Sequence, residues 1–123
     1  MCAPKVTGTH SRRLADDLIA KGYPRPPGYQ AGHIVPTNVF TKRSADVRKA
    51  ITTAQTKFNK YLGEDLRDAA INGFWAEAGH AGAHTDKFFR ELGKAFRGVN
   101  SKKSAEAALE SLWKRNEAGE FIP

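Results

Sequence analysis

The chain has 123 residues, which is the size of a single domain, and its hydrophobic (40%) and charged (27%) fractions exclude disorder or membrane insertion for the chain as a whole. No apolar run approaches the roughly 18 residues of a membrane helix, and residues 1–9 lack the apolar centre of a signal peptide, so we expect no membrane anchor and no export signal. Cys2 is the only cysteine, which excludes an internal disulfide and a cysteine-based zinc site.

The net charge of +7 is unevenly distributed along the chain. Residues 1–60 contain eleven basic and three acidic residues, giving +8, whereas residues 61–123 contain nine and ten, giving −1. A one-sided basic excess indicates a polyanionic or acidic partner. It is typical of a surface that binds phosphates.

The first predicted element is a helix that Ser11 caps and that runs to about Lys21, before the glycine at 22. Prolines and a glycine then predict an irregular segment over 24–28, because proline lacks an amide donor. We therefore divide the chain into an N-terminal helix and linker (1–29) and a main part (30–123) within one compact domain.

Residues 31–36 are rich in β-branched side chains and end in a proline, which predicts a short strand carrying His33. From Ser44 to Gly63 apolar residues recur at helical spacing and predict the longest helix. Residues 71–76 combine an Asn-Gly pair with aromatic residues, which predicts the turn and second strand of a hairpin.

Two more helices are predicted in the C-terminal part of the chain. Apolar residues share one face from His84 to Arg97, and Ser104 is placed as the cap of a last helix that runs toward Gly119. The predicted fold class is therefore mainly α with a small β-hairpin.

Three of the four histidines lie in the two segments that flank the long helix. His80 and His84 are four residues apart, so on a helix they would share one face within reach of one metal ion. Histidines at this spacing are often plain surface residues, and a strand histidine such as His33 often bonds only a carbonyl. Together, a base that titrates near neutral pH, a two-histidine metal site and a basic half are what phosphodiester hydrolysis requires.

The order Gly32-His33-Ile34-Val35-Pro36, then Asn72-Gly73, then His80-x-x-x-His84-x-x-x-Phe88 resembles the AHH group of the HNH (ββα-metal) nucleases. The similarity covers roughly residues 30–115. It implies a ββα-metal finger embedded in a helical domain. It also implies an endonuclease, with DNA as the expected substrate.

The resemblance implies a role for each motif residue. His33 would activate water, Asn72 would tie the loop so that this histidine points correctly, and His80 and His84 would bind one divalent metal ion. The sequence does not distinguish magnesium, manganese, nickel and zinc as that ion.

One position departs from the family pattern, which usually places a second metal-binding side chain where this chain has Gly32. Three explanations stay open: the ion is held by His80, His84, waters and phosphate; Glu77 or Asp86 supplies an oxygen ligand; or the enzyme is impaired. If residue 32 faces the metal, a vacancy exists that Gly32→His would fill. Otherwise the glycine serves its backbone, through a positive φ or a close approach to another strand.

Basic residues in and just before the long helix are candidates for phosphate contacts, with a solvated helix face as the alternative. They are Lys42, Arg43, Arg48 and Lys49. Phe74 and Trp75 would stack on bases or, more in keeping with their type, pack in the core.

Domains that resemble this one are typically C-terminal tips of secreted bacterial toxins. The resemblance thus implies delivery into a target-cell cytoplasm and an acidic immunity protein as partner. A ribonuclease toxin and a non-catalytic nucleic-acid-binding module with structural histidines are the rival hypotheses.

Overall fold

The computed structural model describes the backbone of residues 5–38, 40–77 and 85–120 and the side chains of residues 12–38, 40–76 and 85–120. Four α-helices and two β-strands occur in this part of the chain, with two short 3-10 turns, Glu64–Leu66 and Ala70–Asn72, before the second strand. In chain order they are α1 (Lys5–Ala20), β1 (Tyr29–His33), α2 (Ala45–Tyr61), β2 (Gly73–Glu77), α3 (Asp86–Arg97) and α4 (Lys102–Glu117). The predicted fold class, mainly α with a small β-hairpin, is confirmed.

The two strands pair antiparallel, with Tyr29 opposite Glu77 and His33 opposite Gly73. The strand predicted at 31–36 begins and ends earlier, because the amide and carbonyl of Val35 bind the Asn72 side chain instead of a neighbouring strand. Asn72 and Gly73 do not form a tight hairpin turn. Gly73 has φ −127° and ψ 158°, which is extended backbone, whereas a two-residue turn of this kind needs positive φ.

The helix boundaries differ from the predicted ones mainly at their starts. The cap predicted at Ser11 is wrong, because the first helix already begins at Lys5 and Ser11 lies within it. The long helix is confirmed, with Ser44 at its N-cap. The helix predicted from His84 begins at Asp86, because the Thr85 hydroxyl accepts a hydrogen bond from the amide of Phe88 and caps it there. The last helix is capped by Ser101, whereas Ser104 lies three residues inside it and completes a capping box.

The two faces of the β-sheet pack against different parts of the protein. Phe74, opposite Gly32, belongs to the main core between α2, α3 and α4, which also contains Phe58, Phe88, Phe96 and Leu109. Ala31 and Trp75 lie on the other face and contact Leu14, Ala15 and Leu18 of α1. Since side chains alternate along a strand, His33 is on the same face as Ala31, toward α1.

Helices α2 and α3 run in the same direction and are packed closely. Asp46 bonds Arg90 near their starts, and Lys57 bonds the carbonyl of Arg97 near their ends. None of the described helices is long and apolar enough to cross a membrane.

Candidate active site

His33 is the last residue of β1, and its side chain is almost buried, with 8% of the residue exposed. Its Nε2 lies 2.9 Å from Oδ1 of Asp68, a hydrogen-bond distance. The strand fixes the backbone of the histidine, and the carboxylate fixes the orientation of its ring. The imidazole is therefore held in one orientation at the end of the strand.

Asp68 lies in the turn between the two 3-10 segments, and its side chain is 15% exposed. Its second oxygen is 3.9 Å from Nη1 of Arg13 on α1, a weak pair because Arg13 is mostly exposed. Sequence reasoning did not identify Asp68. It stands 35 residues from His33, so no local spacing links the two residues.

Asn72 is completely buried and connects the two segments that carry this pair. Its Oδ1 accepts from the amide of Val35 at 2.8 Å, and its Nδ2 donates to the carbonyls of Val35 at 3.0 Å and Arg67 at 2.9 Å. Its own carbonyl accepts from the amide of Ile34. One side chain thus joins the backbone next to His33 to the backbone next to Asp68.

The contact with Asp68 bears on which nitrogen of the His33 ring carries the proton. An ionised carboxylate only accepts hydrogen bonds, so with Asp68 ionised and the imidazole neutral, Nε2 is the donor of this contact. That tautomer has its basic lone pair on Nδ1. A neutral histidine in this tautomer can accept a proton at Nδ1 and act as a general base.

His80 and His84, the expected metal ligands, lie outside the described residues. The expectation that these two histidines share one helical face, within reach of one metal ion, stays a prediction. Among the residues that the structure describes, no three His, Cys, Asp or Glu side chains form a group able to hold a metal ion.

The space beside Gly32 is filled by the ring of Phe74. A Cβ added at Gly32 would lie 2.8, 3.1 and 3.3 Å from three atoms of that ring, which is 2% exposed within the main core. The glycine does not have a positive φ. Of the two backbone explanations for Gly32, the geometry supports a close approach to the other strand. The space that a metal-binding side chain would need at position 32 is occupied by the Phe74 ring.

The alternative oxygen ligands have different positions. Asp86 accepts a hydrogen bond at 2.5 Å from Nη1 of Arg43. The side chain of Glu77 is outside the described part of the chain. Asp86 is therefore engaged in holding the start of α3 to the segment before α2.

The four basic candidates do not share one environment. Lys42 and the helix residues Arg48 and Lys49 are exposed. Arg43 is half-buried, and its guanidinium lies over the rings of Phe40 and Phe89, 5.9 and 5.2 Å from their centres. Arg43 thus stabilises the junction between α2 and α3.

The aromatic candidates have structural contacts. Phe74 packs in the main core, as its residue type suggested. The indole nitrogen of Trp75 donates to the carbonyl of Tyr23, and the guanidinium of Arg25 lies 5.2 Å from the Trp75 ring centre. Phe74 is therefore inaccessible to a base, whereas Trp75 is half-buried and already has Arg25 beside its ring.

Comparison with protein families gives a match over residues 14–115, well over half of the chain, to AHH, a nuclease family of the HNH/ENDO VII superfamily with conserved AHH. The match includes α1 from Leu14 onward, and the triplet Ala31-Gly32-His33 differs from Ala-His-His in the middle position. No curated protein and no solved structure matches the chain. The family match, which spans both β-strands, Asn72 and the segment with His80 and His84, means that this chain belongs to the AHH nuclease family of the HNH/ENDO VII superfamily.

Proposed function

We propose that this nuclease is a divalent-metal-dependent endonuclease that hydrolyses the phosphodiester bonds of DNA, with His33 as its general base. The observation that carries the proposal is the His33–Asp68 hydrogen bond of 2.9 Å at the end of β1. An oriented, almost buried imidazole beside a carboxylate is the arrangement that a base needs to take a proton from water.

In the proposed reaction, Nδ1 of His33 takes the proton from the attacking water. Asp68 keeps the proton of the ring on Nε2 and stabilises the imidazolium that forms, while Asn72 holds the backbone on both sides of the pair. Asp68 is a positioning residue in this scheme, because it acts through His33. The water oxygen then attacks phosphorus, the bond between phosphorus and the leaving sugar oxygen breaks, and that oxygen takes a proton from a solvent water molecule.

We propose His80 and His84 as the side chains that would hold the metal ion, with water and substrate phosphate completing its ligands. Imidazole donors suit zinc, nickel and manganese, and magnesium keeps several waters when protein ligands are few. When bound, the ion would neutralise negative charge on the scissile phosphate and on the leaving oxygen. Phe74 leaves no room for a ligand from position 32, so the ligands in this proposal come from outside β1.

The test is cleavage of supercoiled plasmid by purified protein, with EDTA and then with magnesium, manganese, nickel or zinc restored. We expect metal-dependent nicking and linearisation, and a His33→Ala rate lower by about two to four orders of magnitude, the usual contribution of a positioned base. An RNA of similar length is digested in parallel. Metal-independent cleavage, equal rates for wild type and His33→Ala, or cleavage of RNA alone would contradict the proposal.

A second experiment separates a positioning role of Asp68 from a purely structural one. Asp68→Ala should lower kcat by about 10- to 100-fold with little change in KM, the size of effect typical when the carboxylate that orients a functional histidine is removed. Asp68→Asn retains an acceptor for Nε2 and should recover part of that loss. If both variants keep wild-type kcat while their melting temperatures fall, Asp68 supports the fold and not the base.

We further propose that the domain acts as a bacterial toxin that is delivered to a target cell and neutralised by an acidic immunity protein. The support is the resemblance stated above together with the net charge of +7, which suits an acidic partner. Induced expression inside bacteria should reduce colony counts for the wild type and not for His33→Ala. Equal growth of both strains would argue against a toxin.

A further inference from the structure

Helices α2 and α3 approach so closely that they form the floor of a long surface groove. A Cβ added at Gly93 would lie 2.5 Å from the Cβ of Ala50, so only glycine permits this contact. The groove above this contact extends from Asp46 and Arg90 to Arg97, and an adjoining shallow depression on the exposed side of α2 reaches Lys57. We call the two together the α2–α3 groove.

Basic side chains line both sides of the α2–α3 groove. Its six cations come from both helices: Arg48, Lys49 and Lys57 from α2, and Arg90, Lys94 and Arg97 from α3. Asp46 is the only acidic residue among the described residues that line it, and Arg90 pairs with it at 3.0 Å. Lys94 also has an acidic partner, Glu91 at 3.1 Å, which is not among the lining residues. The groove therefore has a large positive excess.

The spacing of these cations suits a repeating polyanion. Arg90, Lys94 and Arg97 follow one another at intervals of four and three residues, which places them on one face of α3 over about 10 Å. Lys49 and Lys57 are two helical turns apart on α2. With the reach of their long side chains, cations in a row of this length would contact about two or three successive phosphates of one strand.

The uncharged residues that line the groove indicate which kind of polyanion it binds. Besides the charged groups, only alanine, glycine and three threonines line its described part, with no aromatic or large aliphatic side chain. Single strands are usually held by stacking on aromatic rings, and protein partners by large apolar or aromatic anchors. Cations and hydroxyls alone are typical of contacts to a duplex backbone.

We infer that the α2–α3 groove is a phosphate-binding surface that holds the backbone of duplex DNA during cleavage. This inference rests on the proposed function, because it identifies the form of substrate on which that site acts. The groove contains two of the basic residues identified from the sequence, Arg48 and Lys49, and adds three cations of α3. It would bind without sequence preference, because phosphate contacts carry no base information.

The experiment compares two triple variants on a His33→Ala background, which keeps the DNA intact. The groove variant is Lys49→Gln, Lys94→Gln and Arg97→Gln. Its control is Lys60→Gln, Lys102→Gln and Lys103→Gln, which removes three exposed cations outside the groove and lowers the net charge equally, from +7 to +4. Affinity for a 30-base-pair duplex of mixed sequence is measured by fluorescence anisotropy between 50 and 300 mM salt, together with a 30-base single strand and poly-glutamate.

If three phosphate contacts are lost, the slope of log affinity against log salt should become shallower by about 2 to 3 in the groove variant. Duplex affinity at 0.1 M salt should fall by about two orders of magnitude, with a much smaller change in the control. Equal slopes in the two triple variants would overturn the inference, as would a preference of the parent protein for poly-glutamate or the single strand.

A single variant and a comparison of binding with cleavage distinguish a failure of the groove from a failure of the proposed catalytic function. If the groove variant has a melting temperature too low for binding measurements, the single Arg97→Gln variant replaces it. Its slope of log affinity against log salt should become shallower by about 0.9. A protein that cuts plasmid yet shows equal slopes would refute the groove alone. One that binds duplex through the groove but never cuts would refute the proposed catalytic function alone.

Discussion

Replacing Gly32 by alanine tests whether Phe74 occupies the space beside the strand. The added Cβ would lie 2.8 Å from the end of the Phe74 ring, so the ring must retreat by about 0.6 Å or more to reach ordinary van der Waals contact. Because the ring is 2% exposed within a close-packed core, it has little space into which to move.

The magnitude follows from two opposing effects. Overpacking a core costs about 1–3 kcal/mol, and replacing glycine by alanine returns about 0.4–1 kcal/mol by restricting the unfolded chain. We expect the free energy of unfolding to fall by about 1–2 kcal/mol and the melting temperature by roughly 3–8 °C. Urea denaturation followed by circular dichroism measures the first quantity, and calorimetry the second.

Two companion variants make the experiment specific. Gly98→Ala is the matched control, because no atom lies within 4 Å of its added Cβ and its φ of −94° suits any residue. In a Phe74→Leu background the side chain loses its outer ring atoms, so Gly32→Ala should cost about 1 kcal/mol less than in the wild type. A Gly32→Ala protein as stable as wild type would refute the reasoning, and the space beside this strand would then be open to a ligand.

The remaining predictions concern the hydrogen bonds of Asn72, the proposed metal ligands and the stability of the protein in acid. Asn72→Ala removes two buried hydrogen bonds and one part-buried hydrogen bond and should lower the free energy of unfolding by about 3 kcal/mol in urea titrations, whereas a loss below about 1 kcal/mol would mean that these bonds do not stabilise the fold. His80→Ala and His84→Ala should each weaken metal binding in calorimetry and abolish the metal-induced rise in melting temperature, and unchanged affinity in both would remove them from the site. The amide of Ala70 and then Lys21 hold the pKa of Asp17 below its ordinary value, so Asp17 stabilises the folded state above pH 4 and loses this effect as the pH falls through its lowered pKa. Asp17→Asn should therefore be less stable than wild type at pH 7, with a difference that shrinks as the pH falls below 4, and a difference that stays constant down to pH 2 would contradict this assignment.

The sequence alone determined the features that depend on local pattern. Apolar residues at helical spacing predicted α2, because Val47, Ile51, Ala54 and Phe58 lie on one face and are all buried. The motif order likewise selected His33 and Asn72, and the family match covers both residues. Helix starts were less well predicted, because a serine or threonine can cap from more than one nearby position.

The tertiary structure alone decided which distant residues meet. Asp68 pairs with His33 because the turn before β2 returns to the end of β1, which no spacing in the sequence reveals. Phe74 excludes a side chain at Gly32 because antiparallel pairing places the two residues opposite each other.

The same holds for the distribution of charge. Counted along the chain, the half that contains α3 has a net charge of −1. In the folded protein, Lys94 and Arg97 of that half lie in the same groove as Lys49 of the basic half. A sequence records the number of charges, whereas the directions in which helices present their side chains determine where those charges combine into a field.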